Sequence, residues 1–239
     1  MSLTSFIKLP DVKERLRRDV SKPWFQVHTE IKAQPLTESY SWTGTAFDYL
    51  LRFYIEKLNP CAKKNIWIAE RGLAIVQNFG APPSTQKRAC HIVETARDHY
   101  RSYLKSKREE KPGKELIRAA IDLAQLDAVY RIGLLDLRPI AESMTKDLSN
   151  LLALVRPEDF RAKRTCSLNP TFGSASDLVG GADADLFIDG TLIDIKTSKH
   201  LEMERDVFNQ LLGYYCLSCI GGIGRLPGTP LKVSDSRPS

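Results

Sequence analysis

Apolar residues recur along this chain with two different spacings, and the change of spacing divides it. From about residue 45 to residue 156 they return every three or four positions, as on one face of a helix. The first such segment begins near Thr45 and ends before Pro60, since proline disfavours helix at the residue preceding it. Its Phe47, Leu50, Leu51, Tyr54, Ile55 and Leu58 make one wide apolar stripe. Residues 64–79, 84–107, 114–135 and 140–155 each predict a further amphipathic helix, punctuated by Pro82-Pro83, Pro112-Gly113 and Pro139. Ala89, Ile92, Val93, Ala96, Tyr100, Tyr103 and Leu104 share a face in the second of these four. In the third, Ile117, Ala120, Ile121, Ala124 and Ala128 do the same.

Beyond residue 156 the spacing shortens to two. Strands are predicted near Thr165–Leu168, Ala182–Ile188 and Leu192–Thr197, followed by a helix over Glu202–Cys219. The last two strands flank Asp189-Gly190, a two-residue hairpin signal. With that pair at the turn, Ile188 faces Thr191 and Phe187 faces Leu192. Asp185 then lies opposite Asp194, and Asp183 opposite Lys196. Directly paired residues share a face, so these four project from one side of the hairpin.

Carboxylates placed opposite one another repel, and a divalent cation removes that cost. Hard carboxylate oxygens suit Mg²⁺ or Mn²⁺, which polarise a phosphoryl oxygen and acidify bound water. Lys196 is suited to orient that water or to offset charge developing on a phosphate. A solvated hairpin with a surface pair between Asp183 and Lys196 is the plainer alternative.

Asp185 followed by Asp194-Ile195-Lys196 on the next strand resembles motifs II and III of the PD-(D/E)XK nuclease superfamily. Gln210-Leu-Leu-Gly-Tyr214 is similar to the Q-x-x-x-Y signature of its RecB-like branch, with the two side chains on one helix face. Gly44-Thr-Ala-Phe-Asp48 resembles the branch's first motif, Gly-Thr-x-x-His, with Asp48 where histidine is usual. Arg52 stands one turn later, where an acid often follows. The resemblance covers about residues 40–60 and 165–220. It implies an α/β restriction-endonuclease-like core, a mixed central sheet flanked by helices, with an inserted helical subdomain. It also implies metal ligands Asp48, Asp185 and Asp194 with the Ile195 backbone carbonyl, Asp183 being the second candidate acid of motif II. Lys196 would assist catalysis, and Gln210 and Tyr214 would organise the site. The implied partner is DNA, with RNA sharing the same phosphodiester chemistry. A non-catalytic nucleic-acid-binding or assembly subunit is the competing class, favoured by Arg52.

Composition adds to this without producing it. A chain of 239 residues, 42% hydrophobic and 8% aromatic, is long enough to bury a core. Its net charge of +6 suits a polyanionic partner. Five cysteines without a framework spacing suggest a reducing compartment. Met1–Arg18 lacks the apolar run of a secretory signal, and no apolar stretch nears the roughly 20 residues that span a bilayer. The expectation is therefore a cytoplasmic protein without a membrane partner.

The resulting division is residues 1–60, an arm and the first-motif helix; 61–156, the helical insertion; and 157–239, the sheet and the Q-x-x-x-Y helix. The arm carries Lys13-Glu-Arg-Leu-Arg-Arg18, a solvated helix face or a DNA-tracking element, then extended material with Pro23 and Pro35. Arg161, Lys163 and Arg164 precede the sheet, as ordinary surface charge or as phosphate contacts near the metal. Gly221–Ser239 offers only Leu231-Lys232-Val233 as a closing strand. An edge left uncovered there favours a second copy or a partner protein. Cys216 and Cys219 fall two short of an iron–sulfur ligand set, with Cys61, Cys90 or Cys166 to be recruited, and buried thiols are the simpler reading. His91 and His99, eight residues apart, match no ligand spacing, and Trp24, Trp42 and Trp67 read as core anchors.

Overall fold

The computed structural model describes residues 2–24, 31–107, 109–197 and 203–223. Leu231-Lys232-Val233, the expected closing strand, lies outside the described residues. In chain order the elements are α1 (Leu3–Phe6), α2 (Pro10–Asp19), α3 (Tyr40–Leu58), α4 (Ile68–Asn78), α5 (Pro83–Lys105), α6 (Lys114–Ile132) and α7 (Glu142–Leu154). There follow β1 (Cys166–Leu168), α8 (Ala175–Leu178), β2 (Leu186–Ile188), β3 (Thr191–Ile193) and α9 (Arg205–Gly221).

The chain forms two units. One holds residues 32–61 and 65–161; the other holds 1–31, 62–64 and 162–239. These bounds differ from those expected from sequence, because α3, the first-motif helix, groups with the helical segment and not with the sheet.

In the helical unit, α6 is the axis. Leu116, Ile117, Ala120, Leu123, Leu126 and Val129 are buried on several of its sides, and α3, α4 and α5 all pack against it. Its amphipathic stripe is therefore much wider than the narrow pattern read from the sequence. Gly113 precedes the helix, and Gly133 ends it at φ 68°, a left-handed cap conformation that glycine adopts at little cost. The stripe of α3 is buried throughout, and Tyr49, Phe53, Trp67 and Tyr100 form an aromatic cluster beside it. Tyr49 joins that cluster to a buried polar group. The Tyr49 hydroxyl donates to Asp127 Oδ2 at 3.1 Å and accepts from the Ala69 N–H at 3.0 Å. Arg131 Nε donates to Asp127 Oδ1 at 2.5 Å. Burial pushes the Asp127 carboxyl upward while Arg131, Tyr49 and Arg52 pull it down. This side chain is retained in the core by its partners, as buried charges must be.

The second unit contains the sheet. Its order is β1-β2-β3, antiparallel throughout, so the mixed sheet expected from the resemblance is replaced by an antiparallel one among the described residues. The physical reason is local: a two-residue turn joins β2 to β3, and such a turn permits only antiparallel pairing. A single parallel bridge, Lys63 with Ser167, borders β1; Lys63 N–H donates to Cys166 O at 3.0 Å. Leu3, Phe172, Val179, Phe187, Tyr214 and Leu217 form the core over which α1, α8 and α9 meet the sheet. Phe172 and Tyr214 stack with centroids 5.4 Å apart.

The cationic stretch of the N-terminal arm lies on a helix, with residues 20–24 after it outside any helix or strand. Pro10 begins α2 where a missing N–H costs nothing, Asp11 occupies the first turn, and Arg17 and Arg18 occupy the last, each complementing the helix dipole. Leu16 of α2 packs against the core cluster.

Candidate active site

The hairpin register is the one read from sequence: Leu186 pairs with Ile193, Phe187 with Leu192 and Ile188 with Thr191. Asp189 and Gly190 take φ of 48° and 94°, both positive, as the tight turn between right-twisted strands requires. Asp189 does more than turn the chain. Its carboxylate accepts the backbone N–H groups of Lys163, Arg164 and Thr165 at 2.6, 2.7 and 2.9 Å. Those hydrogen bonds hold its carboxyl below the usual range.

The structure thus fixes the cationic segment at the turn end of the hairpin. Asp185 lies four residues back along the strand, about 13 Å away at the usual rise. The backbone of Lys163 and Arg164, the segment that the sequence offers as surface charge or as phosphate contacts, is captured at the turn by Asp189. Replacement of Asp189 by asparagine is expected to keep the turn but cost about 1 kcal/mol at neutral pH, because the amide keeps one acceptor oxygen and turns an NH2 toward the remaining backbone N–H. Because the folded carboxyl titrates below its ordinary value of 3.8, the stabilisation is complete above that value and lost as pH falls through the folded one. Urea unfolding of both proteins at pH 7 and at falling pH below 3.8 checks this: the gap between them should narrow as the pH falls.

At the open end, one step beyond the last pair of the ladder, stand Asp185 and Asp194. Asp185 Oδ2 accepts the Ile195 N–H at 2.5 Å, so its side chain reaches across to the peptide that follows Asp194. The Asp194 side chain is 1% exposed, and Lys196 Nζ stands 2.7 Å from its Oδ2. The ammonium is off the line a hydrogen bond needs. Neither Asp194 oxygen has a hydrogen-bond partner among the described residues. Asp183 is exposed, and its Oδ2 accepts from Asn169 Nδ2 at 3.3 Å.

The Q-x-x-x-Y pair joins α9 to this end of the sheet. Gln210 Nε2 donates to the Tyr214 hydroxyl at 2.7 Å, and that hydroxyl donates to the Asp183 carbonyl at 2.9 Å. Burial pushes the Tyr214 phenol upward, and the charges of Asp194, Asp185 and Asp183 push it the same way, against the Gln210 hydrogen bond. The phenol is therefore held protonated, as a donor.

Asp48 belongs to the helical unit and is engaged there. Arg52 Nη2 donates to Asp48 Oδ2 at 2.5 Å, and its guanidinium lies 4.7 Å from the Tyr49 ring centroid. The residue that departs from the first motif thus binds the very carboxylate proposed as ligand. Among the described residues, no three His, Cys, Asp or Glu side chains are grouped so as to hold a metal ion. Cys216 and Cys219 are exposed on α9, and Cys166 is buried on β1.

The hairpin supplies a smaller oxygen set: the Asp185 and Asp194 carboxylates and the Ile195 carbonyl. A buried carboxylate whose oxygens lack hydrogen bonds is costly unless a cation meets it, and here the Lys196 ammonium at 2.7 Å takes that place. This donor chemistry fits Mg²⁺ or Mn²⁺ without Asp48. Two residues escaped the sequence reading. Asp189 looked like a turn former only, and its long-range contacts leave no periodic trace. Asn209 is 1% exposed with both side-chain polar atoms lacking partners among the described residues, next to Gln210. Its signal was a polar residue at a buried helix position.

Comparison with family models, with curated proteins and with solved structures gave no match.

Proposed function

We propose that the chain is a metal-dependent nuclease that hydrolyses DNA phosphodiester bonds, with a PD-(D/E)XK site of the RecB-like kind, serving DNA repair or recombination or defence against foreign DNA. The observation that carries this reading is Asp194: a carboxylate 1% exposed, its oxygens without hydrogen-bond partners among the described residues, beside Lys196. A purely structural aspartate is hydrogen-bonded by its surroundings.

Asp185, Asp194 and the Ile195 carbonyl would hold the cation. Mg²⁺ or Mn²⁺ bound there supplies Lewis-acid polarisation of a phosphoryl oxygen and acidification of water. Lys196, 42% exposed, is free to turn from Asp194 toward substrate, orient the attacking water and offset charge on the phosphate. Tyr214 and Gln210 keep the Asp183–Asp185 segment against α9, so that the acids are placed before substrate arrives. Asp48, which the resemblance names as a third ligand, belongs to the helical unit, where Arg52 binds it.

The ion pair of Asp48 with Arg52 favours a second reading, a binding or assembly subunit that keeps the nuclease-like site without cutting. Incubation of the wild type with linear, circular and single-stranded DNA in Mg²⁺, Mn²⁺ or EDTA separates the two. Shortening that requires metal is the expected result, and cutting of the circle identifies endonuclease action. A shift of DNA on a gel without shortening selects the second reading. Substituting RNA for DNA in the same series tests which nucleic acid is cut.

A further inference from the structure

Helix α2 and the residues after it present an exposed cationic strip that the nuclease reading does not use. Between Lys13 and Lys22 stand five cations and two acids. The Arg15 and Arg18 side chains are 78% and 69% exposed and share Asp19. Arg17 and Lys22 are exposed as well. Trp24, expected in the core, is 81% exposed.

The strip is docked, not loose. The Arg205 guanidinium donates to the Leu16 carbonyl and, at 2.8 Å, to the Val20 carbonyl at the end of α2. Lys22 Nζ donates to Met203 O at 2.7 Å. Arg205 opens α9, the helix that carries Gln210 five residues on, about 7.5 Å along its axis. The end of α2 is therefore fixed beside the helix that buttresses the hairpin acids.

We propose that α2 and Trp24 form a binding strip for single-stranded nucleic acid leading to the hairpin site, an inference that rests on the nuclease reading. Cations at spaced positions meet successive phosphates, and an indole in water offers its face to an unpaired base. A duplex buries its base faces within the stack, so the tryptophan selects the single strand. An anionic membrane surface is the weaker partner, because an interfacial helix needs its apolar face free, and α2 already packs Leu16 into the core cluster.

The test uses the full chain in EDTA, so that cutting cannot interfere, with fluorescein-labelled oligothymidylate of about 20 nucleotides, within reach of one or two binding sites. A blunt duplex of equal length and phosphatidylserine-containing vesicles are the comparison probes. Trp24→Ala is expected to weaken oligothymidylate binding between about fivefold and a hundredfold, leaving duplex binding unchanged, and Trp24→Phe to restore most of it. Arg17→Gln is expected to flatten the logarithmic salt dependence by about 0.7. Equal binding of oligothymidylate by Trp24→Ala and wild type overturns the proposal. So does loss of vesicle binding alone, which assigns the strip to a membrane. Cutting in a parallel reaction with Mn²⁺, together with EDTA binding indifferent to Trp24, refutes the strip and spares the nuclease. Trp24-dependent binding without any cutting does the reverse.

Discussion

Asp194→Ala is expected to abolish metal-dependent cleavage while leaving the metal-free protein at least as stable as the wild type. Most substitutions of a buried side chain cost stability. Here the side chain removed is a carboxylate 1% exposed, with no hydrogen bond to either oxygen among the described residues. Deleting a charge held that way removes its desolvation penalty, which outweighs the loss of its ion pair with the 42% exposed Lys196. A structural aspartate such as Asp127, bonded by Tyr49 and Arg131, would give the opposite sign. Cleavage should fall more than about a hundredfold, beyond the cost of removing a supporting partner of a metal ligand. Metal gives a second reading of the same residue. At a cation concentration of a hundred times Kd the wild type gains about 2.7 kcal/mol, and Asp194→Ala gains none. Thermal unfolding of both proteins with EDTA and with Mn²⁺ checks the two signs together.

Gly72→Ala is expected to unfold the helical unit or come close to it. A Cβ at this position would lie 1.9 Å from the Leu126 carbonyl oxygen and 2.8 Å from its carbon. Both are backbone atoms of α6, so no rotamer change relieves the clash. The two helices must move apart, and α4 packs on α6 over much of its length. Overpacking a core costs about 1–3 kcal/mol when side chains can adjust. With backbone on one side of the contact, the cost should reach or pass the upper figure, a large part of the 5–15 kcal/mol that holds a domain folded. Circular dichroism at rising temperature measures it. Ala74→Gly on the same helix, where alanine is exchanged for glycine without adding atoms, should lose only about 1 kcal/mol.

The helices of residues 64–155 were legible because their apolar stripes and proline breaks are local signals, and α4 to α7 begin and end within a few residues of the expected bounds. The hairpin register was legible for the same reason, since Asp189-Gly190 fixes it and a one-residue slip would turn Phe187 out of the core. What the sequence could not carry were contacts between distant positions. Arg52 read as a departure from a motif; in the structure it occupies Asp48. Lys163 and Arg164 read only as surface charge or phosphate contacts; in the structure Asp189 draws their backbone to the turn. Trp24 read as core because tryptophan is usually buried, yet the Leu16 side of α2 meets the core instead. The ladder also stops at Leu186 and Ile193, so that Asp185 and Asp194 lie just past the regular strands, where Asp185 can turn to the Ile195 peptide.

The most direct measurement is single-turnover cutting of labelled DNA by wild type, Asp194→Ala and Lys196→Ala across a titration of Mn²⁺ or Mg²⁺, with DNA binding followed in the same samples. A metal-dependent nuclease built on this hairpin cuts only with the cation, loses cutting in both variants and keeps binding in all three. Folded wild type that binds DNA and leaves it intact at every cation concentration contradicts the nuclease reading.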